Sequence, residues 1–199
     1  MVMVETASIY GLVLAGGKSR RMGEDKALLV RDGTSQLEHI AALLQALTDK
    51  VFVSTRAEQQ DERVRRRFEQ IVDQFDDIGP IAGILSATQE YPHVDWLVVA
   101  CDLPNVDDET IRFLLANRSV EQPFTAYRSS HDDLPEPLCA VYRAGADEII
   151  RKFVDEGLVC PRKILMRSDT CLLSQPNPAS LDNVNTPGDL EHSVLEAAS

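Results

Sequence analysis

The sequence has few basic residues for its acidic content, and it contains no long apolar run. Its 199 residues include 20 Lys and Arg against 32 Asp and Glu, which gives a formal net charge of −12. Because polymeric nucleic acid and anionic membranes are bound mainly through clustered Lys and Arg, this balance argues against both as partners. No apolar run approaches the roughly 20 residues that a membrane-spanning helix needs, so we expect a soluble protein.

An export signal and paired cysteines are also lacking. The apolar stretch from Ile9 to Ala15 is preceded by Glu5 and by no Lys or Arg, and a glycine pair follows it, which indicates a buried strand and not a signal peptide. We therefore expect a cytoplasmic protein. The four cysteines are far apart in the sequence and form no CxxC pair, so neither a zinc site nor a disulfide framework is indicated.

The composition that is present is typical of a globular domain. Hydrophobic residues make up 44% of the chain and charged residues 26%, which is far from the composition of disordered chains. Since one domain typically takes roughly 100 to 200 residues, we predict a single domain over residues 1–199.

Short runs rich in Val, Ile and Leu alternate with longer segments of helical period. This alternation predicts an α/β fold around a mostly parallel sheet. The predicted strands are 9–14, 50–54, 95–101, 123–127, 138–142 and 170–173. The predicted helices are 36–47, 57–68, 81–91, 108–116, 145–155 and 187–196.

An unusually long loop, residues 15–34, follows the first predicted strand, where an ordinary connection takes roughly 2 to 6 residues. The sequence LAGGKSRRMGEDK, from Leu14 to Lys26, brings glycines and four basic residues together, which favours phosphate binding. A P-loop would need glycine where Leu12 stands, and the GxGxxG pattern is absent. The loop is therefore predicted to bind phosphate in a third way, and the alternative is a basic surface turn.

This segment resembles the LAGGxSxRMGxDK signature of the nucleotidyltransferase superfamily, and within it the molybdenum cofactor guanylyltransferase (MobA) family. Every fixed position of the signature is present. The resemblance implies a three-layer Rossmann-like α/β fold with helices on both faces of the sheet. It also implies that the guanine nucleotide is held at Leu14, Ala15, Gly16 and Lys26. Relatives that take CTP tend to carry LAAG, so Gly17 favours GTP.

A second candidate site is the strand predicted over 95–101, which leads into Asp102. A carboxylate at the carboxyl end of a strand can ligate Mg²⁺, which is usually held by one or two carboxylates and by substrate phosphates. The alternative is that Asp102 only begins a turn before Pro104. The resemblance places the family's metal-binding and nucleotide-binding Asp at Asp102, and it implies Mg²⁺ as the cofactor.

A third motif, an Asp followed by the sequence GPIAG, resembles a stretch of the family that contains GPLAG. Guanine presents N–H donors on its pairing edge, so a guanine pocket requires a carboxylate or backbone carbonyl groups. The resemblance implies that Asp73 and Gly79 bind the nucleotide, with Asp76 and Asp77 as alternatives to Asp73. Some relatives have Asn at the position of Ser54. Because Ser can still form a hydrogen bond, the resemblance implies that Ser54 also binds the nucleotide.

A fourth motif, NVNTPGD, resembles the NVNTPxD sequence of the family. Thr186 and Pro187 have the residue types of a helix start, but the two asparagines are not needed for capping. The family has this region on its acceptor side, so Asn183 and Asn185 are expected to bind molybdopterin. The segment 135–142 resembles the family's acceptor-side strand.

The resemblance implies transfer of GMP from GTP to molybdopterin or the molybdenum cofactor, with release of pyrophosphate. Lys26, Arg20 and Arg21 are expected to stabilise charge on the phosphates during catalysis. The N-terminal part would then bind the nucleotide and the C-terminal part the acceptor, which partner proteins of cofactor biosynthesis would hand over. The alternatives are transfer of CMP to molybdopterin, transfer of a nucleotide to a sugar or alditol phosphate, and a nucleotide-binding module without turnover.

The basic run at residues 63–67 is the remaining group of charged residues. We interpret it as the solvated face of the helix predicted over 57–68, and the alternative is a minor role in steering anions.

Overall fold

The computed structural model describes residues 7–17 and 25–183. Within these ranges the strands β1 to β9 are Ile9–Leu14, Val30–Arg31, Thr34–Ser35, Lys50–Thr55, Glu69–Val72, Asp95–Ala100, Phe124–Arg128, Pro135–Tyr142 and Thr170–Leu173. The helices α1 to α5 are Gln36–Gln45, Ile81–Glu90, Asp108–Ala116, Ala146–Asp155 and Pro161–Met166. No helix in these two ranges is long and apolar enough to cross a membrane.

In the described part of the chain, seven strands form one central sheet in the order β5-β4-β1-β6-β8-β7-β9. The strands β5, β4, β1 and β6 pair in parallel, and β8 is antiparallel to both of its neighbours. Every residue of β6 is buried, as expected for a strand of a parallel sheet that is covered on both faces. The short strands β2 and β3 form a separate hairpin.

Side chains on the two faces of the sheet belong to two separate hydrophobic cores. On one face α1 and α3 pack through Leu37, Ile40 and Leu114, whereas on the other face α2 and α4 pack through Ile84 and Ile150. The protein therefore has three layers, with helices on both faces of a mostly parallel sheet. This arrangement confirms the predicted fold class.

The predicted strands and most predicted helices are present, with ends that differ by up to three residues. The helix predicted over 57–68 is wrong, because the structure has only the 3₁₀ turns Ala57–Gln59 and Arg65–Arg67 there. The segment contains Val64 and Phe68 as its only large apolar residues, so it cannot present an apolar helix face to the core. The elements β2, β3, β5 and α5 were not predicted, and the helix predicted over 187–196 lies outside the described residues.

Candidate active site

The carboxyl ends of three adjacent parallel strands meet at one edge of the central sheet. Leu14 of β1 pairs with Ser54 of β4 on one side and with Ala100 of β6 on the other. This edge is open to a cavity of about 710 Å³. Ligands of α/β proteins usually bind at such an edge. The predicted site residues that line this cavity are Leu14, Ala15, Gly16, Gly17, Lys26, Ser54, Asp73, Gly79 and Asp102.

Asp73 and Ser54 form one hydrogen-bonded pair in the wall of the cavity. The Ser54 hydroxyl donates to Asp73 Oδ1 at 2.7 Å. Burial raises the pKa of Asp73 to about 6, although the Ser54 hydrogen bond and the charge of Arg56 oppose this rise. A neutral carboxyl and a carboxylate are therefore both accessible at this position near neutral pH.

Gly83 allows helix α2 to approach this pair closely. A Cβ atom at this position would overlap the Oγ atom of Ser54 and would lie 3.1 Å from Asp73 Oδ1. A glycine at this point of the GPIAG motif is therefore required by packing. The Gly79 backbone has a φ of +71°, in the left-handed region that glycine adopts without strain.

Arg56 supports the glycine pair that follows β1, and sequence reasoning had not identified it. Its Nε atom donates to the Gly16 carbonyl oxygen at 2.7 Å, and its guanidinium also pairs with Glu58. A Cβ atom on Gly16 would lie 3.1 Å from Asp73 Oδ2. The one available signal was that Arg56 directly follows β4, at the edge of the sheet where β1 ends.

Lys26 and Asp102 lie opposite each other in the cavity. Lys26 Nζ is 3.6 Å from Asp102 Oδ2, and the two side chains are 19% and 21% exposed. Burial raises the pKa of Asp102, and the charge of Lys26 opposes this rise. The Oδ1 atom of Asp102 is buried and has no hydrogen-bond partner among the residues that the structure describes.

Asp102 fits a magnesium ion whose other ligands are water molecules and the phosphates of a bound substrate. The ranges 7–17 and 25–183 contain no cluster of three or more His, Cys, Asp or Glu side chains that could hold a metal. Magnesium in nucleotide enzymes usually takes only one or two protein carboxylates, with waters and substrate phosphates as its other ligands. Asp102 supplies one such carboxylate, with an oxygen that lacks a hydrogen-bond partner in the described chain.

Arg65 contradicts the interpretation of residues 63–67 as a solvated face. Its side chain is fully buried, and Nη2 donates to the Ala15 carbonyl oxygen and to Asp25 Oδ2, both at 2.7 Å. Arg63 and Arg66 are exposed as expected, although the predicted helix is not formed there. The sequence gives little local signal for the difference, because the two acceptors of Nη2, on Ala15 and Asp25, are 50 and 40 residues away in the chain.

A second, smaller cavity of about 200 Å³ lies beside the first, and Asn183 lines it. The two cavities share Pro80 and Leu138 in their walls. Arg162 and Glu136 line the smaller one and form an ion pair at 2.9 Å, and Arg162 also pairs with Asp132 at 3.0 Å. Asn183 thus lies near the main cavity but does not line it. The predicted site residues Asn185, Arg20 and Arg21 lie outside the described residues.

The mostly parallel sheet with helices on both faces defines an α/β protein of the Rossmann-like type, with a cavity at the carboxyl ends of its strands. A family model described as "MobA-like NTP transferase domain" matches residues 11–171. The chain belongs to this family and is a nucleotidyltransferase. The predicted family, fold class and enzyme class are thereby confirmed.

Two curated relatives and one solved structure are similar over most of the chain. A molybdenum cofactor biosynthesis bifunctional protein of Synechocystis is 38% identical over 94% of this chain, which spans 54% of that relative's length. A probable molybdenum cofactor guanylyltransferase of Nostoc is 30% identical, with 92% of this chain and 89% of the relative covered. The crystal structure of molybdopterin-guanine dinucleotide biosynthesis protein A from Archaeoglobus fulgidus has a TM-score of 0.76 at 25% identity, with 92% and 95% of the two chains covered.

Proposed function

We propose that this protein transfers GMP from GTP to the terminal phosphate of molybdopterin or its metal-loaded form. The products are the molybdopterin guanine dinucleotide cofactor and pyrophosphate. The observation that carries the proposal is the single cavity that joins the loop after β1, the Ser54–Asp73 pair and Asp102. The names of the relatives from Synechocystis and Nostoc support the cofactor pathway.

The Ser54–Asp73 pair is the proposed base-recognition site. An ionised Asp73 can accept hydrogen bonds from the two N–H groups on the pairing edge of guanine. Asp76 and Asp77 line the same cavity, but both are exposed, whereas Asp73 is partly buried and held by Ser54. We therefore favour Asp73 over the two alternatives.

The loop after β1 and Lys26 are the proposed phosphate-binding elements. The backbone of Leu14, Ala15, Gly16 and Gly17 would approach the nucleotide, and Lys26 would stabilise negative charge on the α-phosphate and on the leaving pyrophosphate. Arg20 and Arg21 keep the same proposed role on sequence grounds alone.

The reaction needs alignment more than it needs a strong base. A phosphate monoester has a second pKa near 6, so the attacking oxygen of the acceptor is largely ionised at neutral pH. That oxygen forms a bond to the α-phosphorus, the bond between the α-phosphorus and the bridging oxygen breaks, and pyrophosphate leaves with the electron pair. The enzyme must hold the two anions in line and offset their repulsion.

Asp102 is the proposed ligand of a magnesium ion. A bound magnesium ion would offset the negative charge of the phosphates. Asp102 would also remain the ion-pair partner of Lys26. This ion pair would hold the Lys26 ammonium group within the cavity.

The smaller cavity is the proposed entrance for the acceptor. It adjoins the main cavity through Pro80 and Leu138, and Asn183 in its wall offers both amide donors and an acceptor to a pterin ring. Asn185 keeps the same proposed role from the sequence motif. We further propose that residues 1–199 form one domain with the acceptor side in the C-terminal part, and that a partner protein supplies the pterin.

The choice of nucleotide and acceptor can be tested by pyrophosphate release. Purified protein with Mg²⁺ is given GTP, CTP or UTP, each with molybdopterin, a sugar phosphate or an alditol phosphate. We expect the highest kcat/KM for GTP with molybdopterin. Preference for CTP, or for a sugar or alditol phosphate acceptor, would replace the proposal with the related transferase activity.

We predict that the affinity for GTP rises as the pH increases from 5 to 7.5. Burial raises the pKa of Asp73 to about 6, so the accepting carboxylate is the minor form at pH 5 and the major form at pH 7.5. If only this form binds guanine well, the change in affinity approaches about tenfold. Calorimetric titration of GTP at several pH values measures it.

Two variants separate this effect from the titration of the phosphates of GTP. Asp73→Asn should remove the part of the pH dependence that belongs to the carboxyl group, whereas Asp76→Asn should keep the wild-type profile. The assignment of the base contact to Asp73 is wrong if Asp73→Asn and the wild-type protein give the same profile.

A further inference from the structure

The buried guanidinium of Arg65 connects the two ends of the segment that joins β1 to Lys26. Ala15 directly follows β1, and Asp25 directly precedes Lys26. Arg65 Nη2 donates to the carbonyl oxygen of the first and to the carboxylate of the second. One side chain therefore fixes the separation of Ala15 and Asp25.

Asp25 transmits this constraint to Lys26. Its Oδ2 atom accepts from Arg65, and its Oδ1 atom accepts from the Ala27 backbone N–H at 3.1 Å, which caps the 3₁₀ turn Lys26–Leu28. The ammonium group carried by this turn lies 3.6 Å from Asp102. A continuous series of contacts thus leads from Arg65 through Asp25 to the charged group in the cavity.

Arg65 itself is held on its other side by Glu62. Glu62 Oε2 accepts from the Arg65 backbone N–H at 3.0 Å and from its Nη1 atom at 3.4 Å. Hydrogen bonds between charged groups are shorter and stronger than neutral ones, and the planar guanidinium can serve several acceptors at fixed angles. A buried group with these contacts has little freedom to move, so it is suited to define the position of its neighbours.

We propose that Arg65 is a positioning residue for nucleotidyl transfer, which places Lys26 at the phosphates by fixing Ala15 and Asp25. The proposal rests on the proposed function, because it uses Lys26 as the group that stabilises phosphate charge. Arg65 does not belong to the lining of the main cavity, so it acts through Ala15 and Asp25 and not on the nucleotide.

The first test is the substitution Arg65→Lys, which keeps the charge but removes the planar fork. We expect kcat for GMP transfer to fall about 100-fold with KM for GTP changed by about threefold or less, because a displacement of about 1 Å in a catalytic group has effects of this size. Arg66→Lys is the matched control, since it makes the same change at the exposed neighbouring residue. It should keep wild-type values.

A double-mutant cycle distinguishes positioning from a general structural role. If Arg65 acts by placing Lys26, the variant that combines Arg65→Lys with Lys26→Ala should have a kcat within about twofold of Lys26→Ala alone. A residue that affects turnover independently of Lys26 would instead give additive losses. Thermal melts of all variants show that the folded proteins are being compared.

A second variant and a binding measurement keep the test decisive. If Arg65→Lys does not fold, Asp25→Asn replaces it, because Asn keeps an oxygen for the Ala27 N–H but loses the charged contact with Arg65. The binding measurement compares the affinities for GTP and GMP, and it can be made without an acceptor. We expect Lys26→Ala to lower the ratio of the GTP affinity to the GMP affinity by a factor of about three. The Arg65 or Asp25 variant, and its combination with Lys26→Ala, should lower this ratio by the same factor.

These measurements separate this proposal from the proposed function. A wild-type protein that binds GTP but forms no product from molybdopterin would contradict the proposed function, and the affinity ratio would still decide the role of Arg65. Additive losses in the double variant would overturn the positioning role. Folded Arg65→Lys and Asp25→Asn proteins with wild-type kcat and affinity ratio would overturn it as well.

Discussion

Replacement of Lys26 with Ala is expected to lower the turnover of GMP transfer by about 100- to 1,000-fold. The affinity for GTP should change by about threefold or less. The difference arises because Lys26 is proposed to act on charge that develops on the α-phosphate and pyrophosphate, and such contacts are strongest in the transition state. The base and the ribose would still be held by the rest of the cavity.

Single-turnover kinetics and equilibrium binding of GTP measure the two quantities separately. Lys152→Ala is a suitable control, because this lysine is exposed on α4 and does not line the main cavity. A folded Lys26→Ala protein with wild-type turnover would show that the catalytic assignment is wrong. An equal loss in turnover and affinity would instead assign Lys26 to ground-state binding.

The substitution Asp102→Asn is expected to lower turnover by about 100-fold or more at a fixed magnesium concentration. Asn keeps the shape of the side chain but removes the anionic oxygens that hard cations prefer. A higher magnesium concentration should recover part of the activity, because the substrate phosphates remain as ligands. Titration of the rate with Mg²⁺ measures this shift.

The same substitution should not lower the thermal stability. Asp102 is largely buried and burial raises its pKa, so its ionised form is disfavoured by the fold. A neutral Asn relieves that cost, and the melting temperature is expected to stay the same or to rise. Asp155→Asn, at an exposed position, is the control for both measurements. A magnesium requirement that Asp102→Asn leaves unchanged would rule out Asp102 as the metal ligand.

The positions of Gly16 and of Asp102 at one edge of the sheet could be predicted because they depend on local sequence. Continuous apolar runs identify buried parallel strands, and the residues that follow such strands meet at one edge of the sheet. Leu14, Ser54 and Ala100 are paired neighbours there, as this rule requires. The seventh strand of the sheet, β5, was not predicted. It lies at one edge, and its sequence is too short and too polar to indicate a strand.

The contacts that shape the site could not be predicted in the same way. The fit of Gly83 against Ser54 and Asp73 depends on how closely α2 packs on the sheet, which no sequence spacing expresses. Arg65 stands in the same basic run as the exposed Arg63 and Arg66, yet it is buried, with acceptors on Ala15 and Asp25 from distant parts of the chain. Buried charged residues are determined by such tertiary partners, and periodicity alone assigns them to the surface.

The most direct test of the proposed function is the conversion of molybdopterin by the purified protein with GTP and Mg²⁺. Chromatography with mass spectrometry detects the dinucleotide product, and a coupled assay detects pyrophosphate. We predict that both products form in equal amounts, and that omission of GTP or of Mg²⁺ abolishes them. Folded protein that forms neither product under these conditions would contradict the proposed guanylyl transfer.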